Sequence, residues 1–123
     1  MEHLISIVMP VYNAAPFLKD AVDSLLNQSF RDFELIVVDD ASTDASLEIL
    51  LSYDDPRIWI LQNTTNLGNY PSRNKAMSVA KGRYICVMDA DDMAMPDRLD
   101  VQFRFLESHP EVLACGSAYR IIG

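Results

Sequence analysis

The sequence predicts an α/β fold in which a mainly parallel, doubly wound sheet carries helices on both faces. Short apolar runs rich in β-branched residues alternate four times with amphipathic segments of helical period. The apolar runs are continuous rather than alternating, which indicates strands covered on both faces. All six prolines lie where one periodic segment gives way to the next. Right-handed crossovers then make neighbouring strands parallel.

The elements follow one another in a regular order. Asn13 is the expected N-cap of the first helix, with Pro16 in its first turn. Gly82 is expected to end the third helix in the left-handed conformation. The predicted strands cover 4–9, 33–40, 57–62, 84–89 and 111–117, and the predicted helices cover 13–28, 46–53, 70–81 and 96–108.

Length and composition restrict the class of protein. The 123 residues are enough for one core, so residues 1–123 are expected to form a single domain. A net charge of -8 argues against nucleic-acid binding and against adhesion to anionic membranes through a basic patch. No transmembrane segment is expected, because no stretch approaches roughly 20 apolar residues. Cys86 and Cys115 lie in apolar runs, which favours buried, reduced thiols and a cytoplasmic location.

Polar residues follow each of the first four predicted strands. They are "PVYN" after the first, "DDAST" after the second, "NTTNLGN" after the third and "DADD" after the fourth. The carboxyl ends of parallel strands lie at one edge of a sheet, and ligands of open α/β sheets bind in the crevice beyond that edge. The four clusters are therefore expected to form one site.

The first strand-to-helix turn argues against two familiar kinds of nucleotide site. It contains no glycine, so the G-x-G-x-x-G motif that lets a backbone approach a pyrophosphate is absent. No G-x-x-x-x-G-K-[ST] loop occurs in the chain. A nucleotidyltransferase is disfavoured for a similar reason, because "PVYNAAPF" lacks a glycine-rich, lysine-containing loop.

Asp89, Asp91 and Asp92 place three carboxylates within four positions at the end of the fourth strand. Mg²⁺ and Mn²⁺ prefer hard oxygen ligands, commonly one or two carboxylates together with substrate phosphates and water. A divalent ion held there would let an acidic protein bind an anionic diphosphate. The alternative is structural, with one aspartate capping the next helix and the others solvated in a loop.

Other polar side chains are candidates for contacts with a nucleotide. Asp39 and Asp40 end the second strand, where a carboxylate can accept hydrogen bonds from ribose or a base, or cap the next helix. Tyr12 could stack on a base or close the core. Arg73 lies early in the third helix, where the helix dipole disfavours a cation. That position fits a contact with phosphate or base, and equally a surface salt bridge.

The segments "SIVMPVYNAAPFLKDAVDSLLNQSFRDFELIVVDDASTD", "NLGNYPSRNKA", "GRYICVMDADD" and "PDRL" occur in this order. As an ordered set they resemble the inverting family 2 of the GT-A glycosyltransferases, from about Ser6 to Pro110. The resemblance implies a Rossmann-like half that binds a nucleotide-diphosphate sugar, often UDP-linked, and an enzyme that transfers the sugar to an acceptor hydroxyl. The site residues it implies are Pro10 and Tyr12 in the base pocket, Asp40 on uracil, Arg73 on the nucleotide side, Asp89 and Asp91 for Mn²⁺ or Mg²⁺ with Asp91 the more direct ligand, and Asp92 beside the sugar or the metal.

The sequence departs from this family in its length. Family members usually continue beyond the acidic motif into a half that supplies the acceptor site and the catalytic base, and no carboxylate here matches that base. The chain is therefore expected to be a donor-binding half, truncated before the acceptor half, whose acceptor is a polysaccharide, lipid or protein. A non-catalytic nucleotide-sugar-binding or assembly module is the alternative. Exposed apolar surface at the truncated side predicts self-association, and the full-length protein could lie peripherally at a membrane.

Overall fold

The computed structural model describes residues 4–112. Strands and helices alternate along this range in the order that the sequence predicts. The elements are β1 (Ile5–Val11), α1 (Ala15–Leu26), β2 (Phe33–Asp39), α2 (Ser46–Leu51), β3 (Ile58–Gln62), α3 (Asn69–Val79), β4 (Tyr84–Val87) and α4 (Arg98–Ser108). The predicted fifth strand covers 111–117, and its residues 113–117, which include Cys115, lie outside the described residues.

The four described strands form one parallel sheet in the order β3-β2-β1-β4. The two central strands are buried along their whole length, which explains why their sequences are apolar on both faces. The predicted α/β fold class is confirmed. Because all four strands are parallel, their carboxyl ends lie at the same edge of the sheet.

Helices cover both faces of this sheet, as predicted. On one face, side chains from α1, α2 and α4, including Leu18, Leu50 and Leu99, pack against alternate residues of the strands. On the other face, Ala76 of α3 packs against Val8 and two other strand residues in a smaller cluster. The larger cluster lies under three helices, and the smaller one lies under α3 alone.

Two predicted helix boundaries are wrong. Asn13 is not the N-cap of α1, because Ala14 occupies that position and Asn13 has a positive φ of 49°. The backbone N–H of Ala14 donates a buried hydrogen bond of 2.9 Å to the hydroxyl of Ser46 at the start of α2. Gly82 does not end α3, which stops at Val79.

Pro10 also lies inside an element rather than between two elements. Strand β1 continues through Pro10 to Val11, and Pro10 pairs in register with Val38. The ladder between β1 and β4 stops at Val8 and Val87, so Pro10 lies beyond its last pair. A residue without an N–H is tolerated where no ladder hydrogen bond is required.

Strand β4 is not covered on both faces by the described residues. Tyr84 and Cys86 pack against the larger core cluster, whereas Ile85 and Val87 are 48% and 36% exposed. No described strand pairs with the outer side of β4. A cavity of about 520 Å³ runs between β4 and α4, and it contains none of the predicted site residues. Cys86 is half-buried rather than fully buried.

Among residues 4–112, no helix is both long enough and apolar enough to cross a membrane.

Candidate functional site

A cavity of about 350 Å³ opens at the carboxyl edge of β1 and β2. It brings together Pro10, Tyr12 and Asp40, three residues that the sequence predicts for a base pocket. Tyr12 is half exposed, so its ring has an accessible face. The lining is completed by residues that the sequence reasoning did not single out, namely Val11, Asn66, Gly68 and Asn69.

Asp40 is 3% exposed, and its carboxylate holds the loop that follows β3. Oδ1 accepts hydrogen bonds from the backbone N–H of Leu67 at 2.7 Å and from Nδ2 of Asn63 at 2.9 Å. Oδ2 accepts one from the N–H of Gly68 at 3.0 Å. Burial alone would raise the pKa of Asp40, but these bonds, together with one from Ser72, hold it below its ordinary value.

Asn63 is a buried residue of this site that the sequence reasoning missed. Its Nδ2 group donates to Asp40 and also to the hydroxyl of Ser72 at 3.0 Å. Its Oδ1 accepts from Nζ of Lys75 at 2.9 Å. The amide therefore uses both donors and its acceptor to join β2, β3 and the first turns of α3. The only signal in the sequence is the position of "NTTNLGN" after a strand, which does not identify one asparagine among three.

The turn after β1 is fixed by the turn after β2. Oδ1 of Asn13 accepts hydrogen bonds from the backbone N–H groups of Thr43 at 2.8 Å and Asp44 at 3.3 Å. The N–H of Asn13 donates to the hydroxyl of Ser42 at 3.0 Å. These bonds hold the position next to Tyr12, which places the tyrosine at the mouth of the cavity.

Asp39 has a different role from Asp40. It is as buried as Asp40, but it does not line the cavity. Its Oδ2 accepts a hydrogen bond from the N–H of Ser42 at 3.3 Å, and its Oδ1 has no partner among the described residues. Asp39 therefore supports the loop after β2, and Asp40 is the acid that faces the cavity.

Asp89, Asp91 and Asp92 form the second part of the site, at the end of β4. One carboxylate oxygen from each lies within 4.8 Å of the others, and all three side chains are exposed. Met88 and Ala90 alternate with them and are buried in the core. The backbone N–H of Asp92 closes a turn onto the carbonyl of Asp89 at 3.2 Å. Local geometry thus turns the three carboxylates outward together.

Electrostatic repulsion within this cluster contributes to the pKa of Asp92. Loss of solvation around the Asp92 carboxyl raises its pKa, and the negative charges of Asp91 and Asp89 raise it further, while Arg98 acts in the opposite direction. A cation placed among the carboxylates would remove this penalty. The donor set consists only of hard oxygens, and the three oxygens converge closely enough to surround one ion. The residues present therefore fit Mg²⁺ or Mn²⁺.

Arg73 lies beside the carboxylates of the second part of the site. Its guanidinium lies 3.9 Å from Oδ1 of Asp89 and stacks over the ring of Tyr70 at 5.5 Å. Its Nε is buried without a hydrogen-bond partner among the described residues. The structure thus places Arg73 beside the carboxylates, on the helix whose N-terminus adjoins the cavity. A cation held there can contact an anionic group that spans the two parts.

A parallel α/β sheet with this cavity and this acidic turn at its carboxyl edge is the arrangement expected of a glycosyltransferase of the GT-A fold. The family model for glycosyl transferase family 2 matches residues 6–123, so the chain belongs to that family. An uncharacterized glycosyltransferase of Methanocaldococcus jannaschii is 41% identical over 113 residues, covering 89% of this chain and 39% of the relative. The chain spans less than half the length of the curated relatives it matches.

Solved structures give the same family. S. aureus TarS 1-349 in complex with UDP-GlcNAc superposes with a TM-score of 0.82 at 32% identity, covering 89% of this chain and 32% of that protein. The mannosyltransferase PcManGT from Pyrobaculum calidifontis, in complex with GDP-Man and Mn²⁺, superposes with a TM-score of 0.78 at 25% identity, covering 86% of this chain and 33% of that protein. The predicted family is confirmed, and the relatives that the chain resembles are named glycosyltransferases.

Proposed function

We propose that this chain binds a UDP-sugar through a divalent metal ion, for inverting transfer of the sugar to an acceptor hydroxyl. The observation that carries the proposal is that a nucleoside-sized cavity and a cluster of three converging carboxylates lie at the same edge of the sheet. Arg73 lies beside the cluster on the helix that begins at the cavity. A ligand with an uncharged base at one end and a diphosphate at the other would use both parts of this edge.

Each part of the site has a role in this proposal. Pro10 and Tyr12 line the base pocket, and Asp40 accepts a hydrogen bond from the base. Arg73 contacts the nucleotide on its phosphate side. Asp91 and Asp89 would hold Mn²⁺ or Mg²⁺, and Asp92 lies beside the donor sugar or the metal. Mutation of each residue tests the role proposed for it.

The preference for UDP rests on the resemblance to family 2, whose donors are often UDP-linked. Four donors, from Asn63, Leu67, Gly68 and Ser72, already converge on Asp40. A base would have to share one of the roughly four acceptor positions of this carboxylate. The UDP-GlcNAc complex of TarS supports this preference. PcManGT binds GDP-Man, so guanine is the competitor to test.

A bound divalent ion would neutralise the charge that develops on the diphosphate leaving group. This chain's own residues would orient the nucleotide in the cavity and bring the diphosphate to the carboxylates. Inversion also requires a base that deprotonates the acceptor hydroxyl. We propose that this base and the acceptor site, whether for a polysaccharide, lipid or protein, belong to the part of the relatives' length that this chain does not span.

The alternative function is a non-catalytic nucleotide-sugar-binding or assembly module. The cavity and the carboxylate cluster are compatible with it, because donor binding at this edge of the sheet requires no acceptor site. Both functions require donor binding, and only transfer distinguishes them. The alternative predicts that UDP-sugars bind but are neither hydrolysed nor transferred when acceptors are supplied.

Calorimetric titration tests the proposal directly. UDP is titrated into the chain with Mn²⁺ and again with EDTA, and we expect binding that depends on the metal. Asp91→Ala should weaken that binding in Mn²⁺ toward the affinity found with EDTA, whereas Asp20→Ala, which removes an exposed acid on α1, should leave it unchanged. Binding that persists unchanged in EDTA, or no binding in millimolar Mn²⁺, would contradict the proposal.

The exposed apolar side chains of β4 support the predicted self-association of this chain. Ile85 and Val87 lie at the outer side of the described sheet, where a second copy could cover them. A longer chain could cover the same face and would then compete with the second copy. The cytoplasmic location, with a peripheral position at a membrane for the longer protein, stays a prediction.

A further inference from the structure

Gln28 has a buried side-chain amide although it lies just beyond the end of α1. It is 1% exposed, and all its hydrogen bonds go to backbone groups. Nε2 donates to the carbonyl of Met95 at 2.6 Å and to the carbonyl of Ser24 at 3.0 Å. Oε1 accepts from the N–H of Leu99 at 3.1 Å. One amide thus joins α1 to both ends of the segment that leads into α4.

Two further hydrogen bonds join the same segments. The hydroxyl of Ser24 accepts from the N–H of Ala94 at 3.0 Å. The N–H of Ser29 donates to the carbonyl of Pro96 at 2.8 Å. Together with Gln28, these groups fix residues 94–99 against the end of α1. We call this set of contacts, made by Ser24, Gln28 and Ser29, the α1 clasp.

The acidic turn lies between the α1 clasp and the sheet. On the sheet side, the N–H of Met88 donates to the carbonyl of Val8 at 3.1 Å. On the other side, Ala94 is the first residue held by the clasp. Only residues 89–93 separate these two fixed points, and they include all three exposed carboxylates. A short segment fixed at both ends has few backbone conformations available, so the clasp restricts where its carboxylates can lie.

From this arrangement, we infer that Gln28 is a positioning residue for the carboxylate cluster, and that the α1 clasp sets the affinity of the cluster for a divalent cation. The inference rests on the proposed function, in which that cluster holds the metal. Gln28 touches none of the three carboxylates, so it acts through the backbone of residues 94–99. Removing its bonds would widen the range of carboxylate separations and lower the fraction of molecules ready to bind the ion.

The loop that lines the base cavity is held by residues other than those of the α1 clasp. These residues are Asp40 and Asn63, which make no contact with the clasp among the hydrogen bonds of the described residues. A loss of Gln28 should therefore weaken metal binding while leaving uridine binding intact. A purely structural role would instead weaken both, through general loss of folded protein.

Gln28→Met is the informative variant, because methionine has a similar length and volume but cannot replace any of the three bonds. Ser24→Ala is a second, milder variant that removes the acceptor for Ala94 and the hydroxyl's own bond to the carbonyl of Ala21 within α1. Val22→Ala, a buried position on the same helix, is the matched control for loss of stability. Urea unfolding fixes the stability of each variant, and Mn²⁺ affinity is measured with the metal alone by electron paramagnetic resonance.

We expect Gln28→Met to weaken Mn²⁺ binding roughly tenfold, in the range found for groups that orient metal ligands. Ser24→Ala should weaken it less, and Val22→Ala should leave it unchanged once the folded fraction is taken into account. Uridine affinity, followed by NMR titration without metal, should stay within about twofold in every variant, which is small on the scale of binding free energies.

The outcomes separate the two proposals. Equal Mn²⁺ affinity in Gln28→Met and the wild-type chain overturns the role of Gln28, and so does an equal loss in Val22→Ala. Mn²⁺ binding by the wild-type chain without any binding of UDP overturns the proposed function, while the effect of Gln28 on Mn²⁺ can still be measured. A wild-type chain that binds no Mn²⁺ at millimolar concentration overturns both.

Discussion

Nδ2 of Asn63 donates a hydrogen bond of 2.9 Å to Oδ1 of Asp40, inside the structure and at the ends of two neighbouring strands. This bond makes Asp40 both a wall of the cavity and a support for the loop that completes it. The same carboxylate accepts the N–H groups of Leu67 and Gly68, so the loop cannot keep its place without it. Changing Asp40 should consequently affect stability as well as ligand binding.

Asp40→Asn should lower the free energy of unfolding by about 1–3 kcal/mol at pH 7, because an NH₂ group would replace an acceptor that faces N–H donors. Urea unfolding measures this change. Asp20→Asn, at an exposed position on α1, should stay within about 0.5 kcal/mol of the wild type. A variant at position 40 with unchanged stability would show that the loop is held by other groups.

The same substitution should change the response to acid. The folded-state pKa of Asp40 lies below its ordinary value of 3.8, so its carboxylate stabilises the fold above about that pH. This contribution is lost as the pH falls through the lowered pKa. The difference in stability between the wild type and Asp40→Asn should therefore shrink below pH 3.8. A difference that is constant from pH 7 downward would contradict this linkage.

Asp92→Asn is expected to stabilise the metal-free chain at pH 7. The folded-state pKa of Asp92 is raised above 3.8, so its ionised form is disfavoured by folding at every pH above the raised value. The gain should decline as the pH falls through that value and vanish below about 3.8, where the group is protonated in both states. Thermal unfolding between pH 3 and pH 8 checks the trend.

Mn²⁺ provides the control for this prediction. A cation at the cluster removes the repulsion, so saturating metal should stabilise the wild type more than Asp92→Asn and reverse their order. If the wild type is the more stable protein even in EDTA, the repulsion among the three carboxylates does not limit stability.

Much of the fold can be predicted because the pattern that forms each element is local. Strands β1 and β2 are apolar without interruption, and they are the buried centre of the sheet. The predicted apolar stripe of α1 is largely confirmed, because Leu18 and Leu25 lie in the core. Phe17, the first member of that predicted stripe, is nevertheless 55% exposed. The fourth strand is equally apolar in sequence but only half covered, because its cover depends on which element lies next to it.

The position of the candidate site could also be predicted, but its internal bonds could not. Parallel strands force the four polar clusters to one edge, and this is enough to bring Tyr12 and Asp40 to one cavity. Three of the partners of Asp40, namely Asn63, Leu67 and Gly68, come from positions 23 to 28 residues further along the chain. Gln28 and Met95 are separated by 67 residues. Contacts of this kind depend on packing, for which a single sequence has no local signal.

Gly82 illustrates the same distinction, and it yields a further prediction. The sequence suggests a left-handed helix cap, but Gly82 is required because a Cβ there would lie 2.4 Å from the backbone nitrogen of Ser6. Gly82→Ala should lower the free energy of unfolding by about 1–3 kcal/mol, as overpacking does. Lys81→Ala keeps the backbone N–H that donates to Glu34 and should be nearly neutral. Equal effects of the two variants in urea unfolding would contradict the clash.

The apolar side of β4 gives the last prediction, which concerns association. Ile85 and Val87 are exposed in the described structure and lie next to each other on the same face of the strand. Sedimentation velocity at increasing concentration should therefore show self-association of the wild-type chain. Ile85→Lys should shift the chain toward monomer, because a charge at the contact would have to be desolvated.

Leu51→Lys is the matched control for this last prediction, since Leu51 is an exposed leucine on α2 outside this face. It adds the same charge to an acidic protein, so an effect of net charge alone would appear equally in both variants. Association that is lost only in Ile85→Lys locates the contact at β4. A wild-type chain that stays monomeric at the highest concentration would contradict the predicted self-association, and equal dissociation by both lysines would show that the contact is not specific to this strand.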